Sequence, residues 1–194
     1  MRTLAVFCGS AVGTQPAYRD AAILLASRLA ARGMGLVYGG GSVGIMGVLA
    51  DAALARGVPV TGVIPEHLQA LEVGHRGLTR MEVVPSMHVR KALMAELADG
   101  FLALPGGIGT LEELFEVFTW GQLGLHTKPV GLLDVAGLWK PLIGALDHLV
   151  AEGFVRPEHR AFLLDDTDLD RLLDRMEAWR APASFKWMTE ASQA

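Results

Sequence analysis

The chain has 194 residues, of which 51% are hydrophobic and 20% are charged, and its formal net charge is −4 at pH 7. This length predicts one domain with a sizeable core. The net negative charge argues against an overall basic nucleic-acid surface, although a local basic patch stays open. No apolar run is long enough to span a bilayer. The single cysteine, Cys8, cannot form an intrachain disulfide, and residues 1–3 run directly into a strand-like segment without a signal peptide. We therefore expect a soluble cytoplasmic protein with no nucleic-acid or membrane partner.

Apolar strand-like runs alternate with helical patterns along the chain. The predicted strands are residues 4–8, 35–38, 59–64, 81–84, 100–104 and 129–133. The predicted helices are residues 16–32, a segment from the second glycine loop to about residue 56, and residues 87–97, 111–120, 138–152 and 168–179. Ser86 is the predicted N-cap of the helix at 87–97, and residues 165–167 are predicted to cap the last helix.

The predicted strands are apolar throughout, without alternating polar residues. This pattern is typical of a parallel sheet covered by helices on both faces, so the fold class is α/β. We expect one domain over residues 1–180, followed by a tail at 181–194 that has no strong pattern. In such sheets, ligands bind outside the carboxyl ends of the strands.

The most informative stretch runs from Leu104 to Glu113, in the order strand, glycine turn and helix start. Three glycines in four positions allow a sharp turn and a close ligand approach. Thr110 is placed to cap the following helix, and its spacing to Glu113 fits a capping box. Free N–H groups at a helix start can hold a phosphate. The alternative is a tight connection in which Glu113 serves only as a capping residue.

A second glycine-rich loop, residues 39–47, contains the pattern G-x-G-x-x-G. A dinucleotide fingerprint belongs after the first strand, with an acidic ribose ligand at the end of the next strand. Here the loop follows the second predicted strand, and the third ends in Pro65-Glu66, which fits poorly. We instead expect a close backbone approach to a phosphate or sugar at Gly40, Gly41 and Gly44.

The run Pro-Gly-Gly-x-Gly-Thr-x-x-Glu, complete from Pro105 to Glu113, resembles the signature of the LOG family, the cytokinin riboside 5′-monophosphate phosphoribohydrolases. Phe7-Cys8-Gly9-Ser10, the three consecutive glycines at 39–41, and Met87-His88-Val89-Arg90-Lys91 are also similar to LOG segments. The resemblance covers residues 4–155. It implies a Rossmann-like, doubly wound parallel sheet and a homodimer, for which residues 115–125 and 138–150 could supply a self-complementary face.

The resemblance further implies cleavage of the N-glycosidic bond of a nucleoside 5′-monophosphate, AMP or an N6-substituted AMP, without a cofactor. Arg90 and Glu113 match the catalytic positions. The matching substrate-binding positions are Glu72, Arg90, Lys91, Gly106, Gly107, Ile108, Gly109, Thr110, Leu111, Glu112 and Thr119. The alternatives are a solvated basic face for Arg90 and Lys91, a surface or capping role for one glutamate, and a Thr119 hydroxyl bonded to its own helix. For His88, both a structural role and a role as a catalytic acid stay open.

Other functional classes fit less well. The histidines are scattered and the cysteine is unpaired, so no metal site is expected. Related sequences carry a lysine decarboxylase label, yet no lysine here lies in a recognisable pyridoxal loop. A dinucleotide oxidoreductase lacks its acidic ribose ligand. The remaining rival is a nucleotide-binding or carrier protein without turnover, which would need the loop but not both Arg90 and Glu113.

Overall fold

The computed structural model describes residues 1–69 and 74–181. They form a single seven-stranded sheet in which every strand pairing is parallel. The strands are β1 Thr3–Phe7, β2 Gly35–Tyr38, β3 Val60–Pro65, β4 Arg80–Val84, β5 Gly100–Ala103, β6 Val130–Leu133 and β7 Leu163–Asp166. The helices are α1 Pro16–Arg32, α2 Gly44–Leu54, α3 Glu66–Gln69, α4 Met87–Leu97, α5 Ile108–Gln122, α6 Lys140–Ala151, α7 Pro157–Arg160 and α8 Leu169–Ala178.

The strand order is β4-β3-β2-β1-β5-β6-β7, so the winding direction reverses at β1. Val6 of β1 is paired with Tyr38 of β2 on one side and with Leu102 of β5 on the other. The carboxyl ends of these three strands therefore lie at one edge of the sheet. The loops that follow them meet at the switch point, where doubly wound sheets bind their ligands. This confirms the predicted α/β, Rossmann-like fold class.

Each face of the sheet carries its own apolar core. Leu4 and Val6 of β1 face one core with α1, α2 and α8, whereas Ala5 and Phe7 face the other with α4, α5 and α6. Both sets of side chains are almost completely buried. Two-sided burial explains why the strands are continuous apolar runs in the sequence. Within the described ranges, no helix is both long and apolar enough to cross a membrane.

Several predicted elements are confirmed with the same bounds, namely α1, β2 and α4. The Ser86 hydroxyl accepts a hydrogen bond from the Val89 N–H at 3.3 Å, as expected for the predicted cap. The start of α5 was predicted wrongly. The helix begins at Ile108 with Gly107 as its N-cap, and no side chain caps it. Thr110 lies inside the first turn, so it does not form the predicted capping box with Glu113.

The last strand and two short helices, α3 and α7, were not predicted. β7 is an edge strand in which Leu163 and Leu164 are buried, while its last two residues are aspartates that form ion pairs with arginines. Acidic residues at strand ends resemble helix-capping residues in sequence. The observed cap of α8 is Asp168, which accepts a hydrogen bond from the Arg171 N–H at 2.8 Å, and not residues 165–167. Residues 182–194 lie outside the described residues.

Candidate active site

A cavity of about 180 Å³ opens at the switch point between the loop after β1, the start of α5 and the side chain of one α4 residue. Its lining residues are Cys8, Gly9, Ser10, Met46, Arg90, Gly107, Ile108, Gly109, Thr110 and Glu113. Four parts of the chain therefore converge on one space, because Met46 of α2 also lines it. Arg90 and Glu113, the pair predicted to be catalytic, both lie on its wall.

The start of α5 faces this cavity and is open to solvent. Gly107 and Gly109 are exposed, and Ile108 is 82% exposed. The first-turn amides of a helix have no intrahelical partner, so they are available to an anion. The hydroxyl of the buried Thr110 lies beneath Gly106, where a side chain would overlap it. The resulting surface has the geometry of a phosphate cradle.

Arg90 reaches the cavity from α4 and is held by backbone carbonyls. Its Nε donates a hydrogen bond to the Val63 carbonyl oxygen at 3.1 Å, and its Nη2 donates one to the Gly39 carbonyl oxygen at 3.4 Å. Nη2 also lies 3.5 Å from Glu113 Oε1. Arg90 is only 7% exposed and Glu113 only 9%. The two carbonyl contacts and the carboxylate together orient the guanidinium towards the cavity.

Cys8 completes the inner wall beside the carboxylate. Burial raises the pKa of the Cys8 thiol, and the negative charge of Glu113 raises it further. The thiol is therefore neutral at physiological pH, and it is a poor nucleophile because the thiolate is the reactive form. It serves as a compact, weakly polar wall next to Glu113.

Lys91 and Glu112, the neighbours of the catalytic pair, point to each other outside the cavity. The Lys91 ammonium forms an ion pair with Glu112 Oε1 and a second one, at 3.0 Å, with Glu116 Oε1. Burial lowers the pKa of Lys91, but the hydrogen bonds to the two carboxylates outweigh it and raise the pKa overall. Neither Lys91 nor Glu112 lines the cavity. Sequence reasoning missed Glu116, although its spacing of four from Glu112 places both on one helix face.

The second glycine loop supports the site from behind. The N–H groups of Ile45 and Met46 donate to the Gly9 carbonyl oxygen at 3.0 and 3.3 Å, so the start of α2 is capped by protein. At Gly44 a side chain would overlap the Ser10 backbone. None of Gly40, Gly41 and Gly44 lines this cavity. Gly44 packs closely against the loop after β1, and the expected role of the three glycines in phosphate or sugar binding stays a prediction.

A second cavity, of about 300 Å³, adjoins the first and shares Gly9, Ser10 and Gly107 with it. Its remaining lining is mainly apolar and comes from Tyr18 of α1, Ile45 of α2, and Leu138 before α6. The two cavities form one crevice with a charged end and an apolar end. Such a crevice suits a ligand that carries an anionic group and a flat apolar group.

A family model described as "Possible lysine decarboxylase" matches residues 46–176 of the chain. A probable cytokinin riboside 5′-monophosphate phosphoribohydrolase of Oryza sativa subsp. japonica is 46% identical over 95% of this chain and 90% of its own. Its counterpart in Arabidopsis thaliana, LOG1, is 46% identical over 91% of this chain and 83% of its own. The chain belongs to the LOG family.

Solved structures extend the likeness of this LOG-family chain at the level of the fold. The molybdenum cofactor carrier protein of Chlamydomonas reinhardtii has a TM-score of 0.69, with 19% identity, over 92% of this chain and 99% of its own. The corresponding cofactor-binding protein of Rippkaea orientalis has a TM-score of 0.67, with 18% identity, over 91% of this chain and 96% of its own. At this identity the match concerns the fold alone.

The remaining residues of the LOG-like set lie elsewhere. Thr119 is exposed on α5, and Leu111 is partly buried against the core. His88 is exposed at the start of α4. None of these three lines the cavity with Arg90. Glu72 lies outside the described residues.

Within the part of the chain that the structure describes, no cluster of three histidine, cysteine or acidic side chains has the arrangement of a metal site.

Proposed function

We propose that this LOG-family chain hydrolyses the N-glycosidic bond of a nucleoside 5′-monophosphate, AMP or an N6-substituted AMP, and releases the free base and ribose 5-phosphate. One observation carries the proposal: Arg90, Glu113 and the open start of α5 share a single cavity. The names of the plant relatives, which are 46% identical, describe the same reaction class.

The substrate phosphate binds at the start of α5 in this proposal. The amides of Gly107, Ile108 and Gly109 and the helix dipole attract the anion. The Thr110 hydroxyl, close beneath Gly106, adds a donor on the inner side. Anchoring the phosphate fixes the ribose, so its anomeric carbon is held close to the Arg90–Glu113 pair.

Bond cleavage develops positive charge on the ribose ring, as in other glycosyl transfers. The Glu113 carboxylate stabilises this charge and takes a proton from the attacking water, whose oxygen bonds to the anomeric carbon. The electrons of the broken C–N bond leave with the base, which takes up one proton. Arg90, with Nη2 3.5 Å from Glu113 Oε1, orients the carboxylate towards the anomeric carbon. Glu113 acts on the anomeric carbon rather than Glu112, because Glu112 is turned towards Lys91.

The base lies in the adjoining cavity of about 300 Å³ in this proposal. Tyr18, Ile45 and Leu138 supply a mainly apolar wall. An apolar wall accepts a purine ring and leaves space for an apolar N6 substituent without a charged contact.

A carrier without turnover is the second candidate, and the open helix start, which can hold an anion without any chemistry, is the observation that keeps it in consideration. A carrier needs the anion-binding loop, but it does not need a buried Arg–Glu pair on the same wall.

A decarboxylase fits less well, although the description of the matching family model contains that word. Of the described lysines, Lys91 is tied to two carboxylates and Lys128 Nζ donates to the Ala95 carbonyl oxygen at 2.6 Å. Neither of these two lines the crevice.

We also propose that the protein is a cytoplasmic homodimer. Large apolar side chains are exposed around the C-terminal ends of α5 and α6, at Leu123, Leu125, Leu149 and Phe154. An isologous pairing would cover these side chains. Size-exclusion chromatography with light scattering measures the mass, and a monomer at micromolar concentration contradicts this part of the proposal.

Incubating the protein with AMP and with isopentenyl-AMP, and measuring free base and ribose 5-phosphate, tests the hydrolase. Glu113→Gln and Arg90→Ala are expected to keep the fold and to lose about 10²- to 10⁴-fold in base release. Glu96→Gln is the matched control, because Glu96 is exposed on α4 and lies outside the crevice. Tight AMP binding without release by the wild-type chain supports the carrier, and wild-type rates in both variants remove the assigned roles.

A further inference from the structure

Two charged bridges, which we call the inner and the outer bridge, join α4 and α5. Arg90 meets Glu113 inside the cavity, and Lys91 meets Glu112 and Glu116 outside it. Arg90 and Lys91 are adjacent on α4 and their three partners lie within five residues of α5, so a movement of α4 against α5 changes both bridges. Further along, a cavity of about 400 Å³ is lined by Ala92 and Ala95 of α4, by Trp120 of α5, and by residues of β5 and the segment after α5. Beside their shared apolar core, α4 and α5 are thus joined by charged bridges at the end that lies next to the cavity.

Within the outer bridge, Glu116 holds Lys91 more firmly than Glu112 can. The Glu112 side chain is 49% exposed, so water weakens its hold on Lys91. The Glu116 side chain is mostly buried, as is that of Lys91, and an ion pair in such surroundings is screened much less. Lys91 also separates two carboxylates that stand four residues apart on one helix and would otherwise repel each other.

The carboxylate of Glu116 is only partly satisfied by hydrogen bonds within the described residues. Its Oε1 is 3.0 Å from Lys91 Nζ, while its Oε2 is buried and has no hydrogen-bond partner among the described residues. Leaving a buried carboxylate oxygen unpaired costs stability, so a residue that only stabilised the fold would be better replaced by a neutral side chain. The arrangement indicates that the charge on Glu116 has a use other than stability.

We propose that Glu116 is a positioning residue for the hydrolysis. Through Lys91 it fixes α4 against α5, and it thereby holds the Arg90 guanidinium against the Glu113 carboxylate. This inference rests on the proposed function. It assigns Lys91 to the support of the site, and it explains why a buried lysine beside Arg90 points away from the cavity. Glu116 itself does not line either cavity of the crevice and touches no reacting atom.

The test compares wild type, Glu116→Gln, Lys91→Met and the double variant, each assayed for base release from AMP and for thermal unfolding. Glu116→Gln is expected to lower kcat by about ten- to a hundredfold, the range for a misplaced catalytic group, with KM changed by less than about twofold. In the Lys91→Met background, the same change at position 116 is expected to have no further effect on kcat. Glu96→Gln, on the far part of α4, is the control and should keep the wild-type kcat.

Several results would overturn the proposal: an unchanged kcat in folded Glu116→Gln, a raised KM with normal kcat, or equal losses in both backgrounds. If Glu116→Gln fails to fold, Glu116→Asp replaces it. The shorter carboxylate keeps the charge but draws back from Lys91, so an intermediate kcat supports the proposal and a wild-type kcat contradicts it. If the wild-type chain releases no base, the proposed function fails. The Lys91–Glu116 coupling is then read from the unfolding temperatures of the same four proteins, and additive shifts refute it.

Discussion

Replacing Gly39 by alanine is expected to disable the site while leaving the fold largely intact. An added Cβ at Gly39 would overlap Arg90 Nη2 and approach Arg90 Cζ to 3.3 Å. Since non-bonded contacts in proteins are comfortable at about 3.5 Å or more, Nη2 of the guanidinium must retreat by more than about 1 Å. That shift removes the bond from Nη2 to the Gly39 carbonyl oxygen and lengthens the distance to Glu113. A displacement of this size costs up to about a hundredfold in rate.

The cost in stability is much smaller, because the displaced atoms are the far end of a flexible side chain. Gly39 is not among the residues with a positive φ, so alanine fits the backbone there. Losing one hydrogen bond lowers the free energy of unfolding by about 0.5–1.5 kcal/mol. The assay follows base release from AMP in parallel with urea unfolding.

Gly144→Ala is the matched control for this change. Gly144 lies inside α6 with open space around the added carbon, and alanine there should stabilise the helix by about 0.5–1 kcal/mol without altering kcat. A folded Gly39→Ala protein with wild-type kcat would show that the position of Arg90 does not limit the reaction, and the reasoning about the site would fail.

Three further predictions concern the loop and the core. Gly106→Ala should raise the KM for AMP at least tenfold in a steady-state assay, because its Cβ would overlap the Thr110 hydroxyl and come 2.9 Å from the Gly9 nitrogen; an unchanged KM contradicts the phosphate cradle. Gly121→Ala should lower the unfolding free energy by about 1–3 kcal/mol in urea titrations, since its Cβ would overlap the Phe162 ring; wild-type stability would refute the packing. Burial lowers the pKa of His126 from its ordinary 6.5, so the unfolded chain takes up the proton first and stability falls as pH drops below 6.5. His126→Gln should flatten this fall in urea titrations between pH 7.5 and 5, and an equally steep fall shows that other groups cause it.

Much of the fold follows from the sequence because both sheet faces are covered. The helix at 16–32 has a proline at its start and Gly33 in a left-handed conformation at its end, so both boundaries are encoded locally. The edge strand β7 has no such signal, since only two of its residues are buried and the other two are aspartates held by arginines. What defines the strand is its parallel pairing with β6, about 30 residues earlier in the chain, and a local pattern cannot indicate that pairing.

The site was predictable to a similar degree. The signature at 105–113 pointed to Glu113 beside a helix start, and the structure places Glu113 and Arg90 in one cavity at that helix start, while their catalytic roles stay a prediction. The start of α5 was wrong by three residues, because a threonine before an apolar run resembles a cap whether or not the helix begins earlier. The direction of the Lys91 side chain depends on how α4 packs against α5. The sequence alone therefore could not show that Lys91 points away from the cavity.

The neutral thiol on the cavity wall gives this protein an internal reporter. Cys8 is the chain's only cysteine, and it is both buried and protonated in the folded state. Thiol reagents attack the thiolate, so labelling must wait until the carboxyl end of β1 opens to water. The rate of modification at a single sulfur atom therefore records how often the floor of the crevice opens, without any engineered probe. A nucleotide bound against that floor should lower the rate of Cys8 modification in proportion to its occupancy.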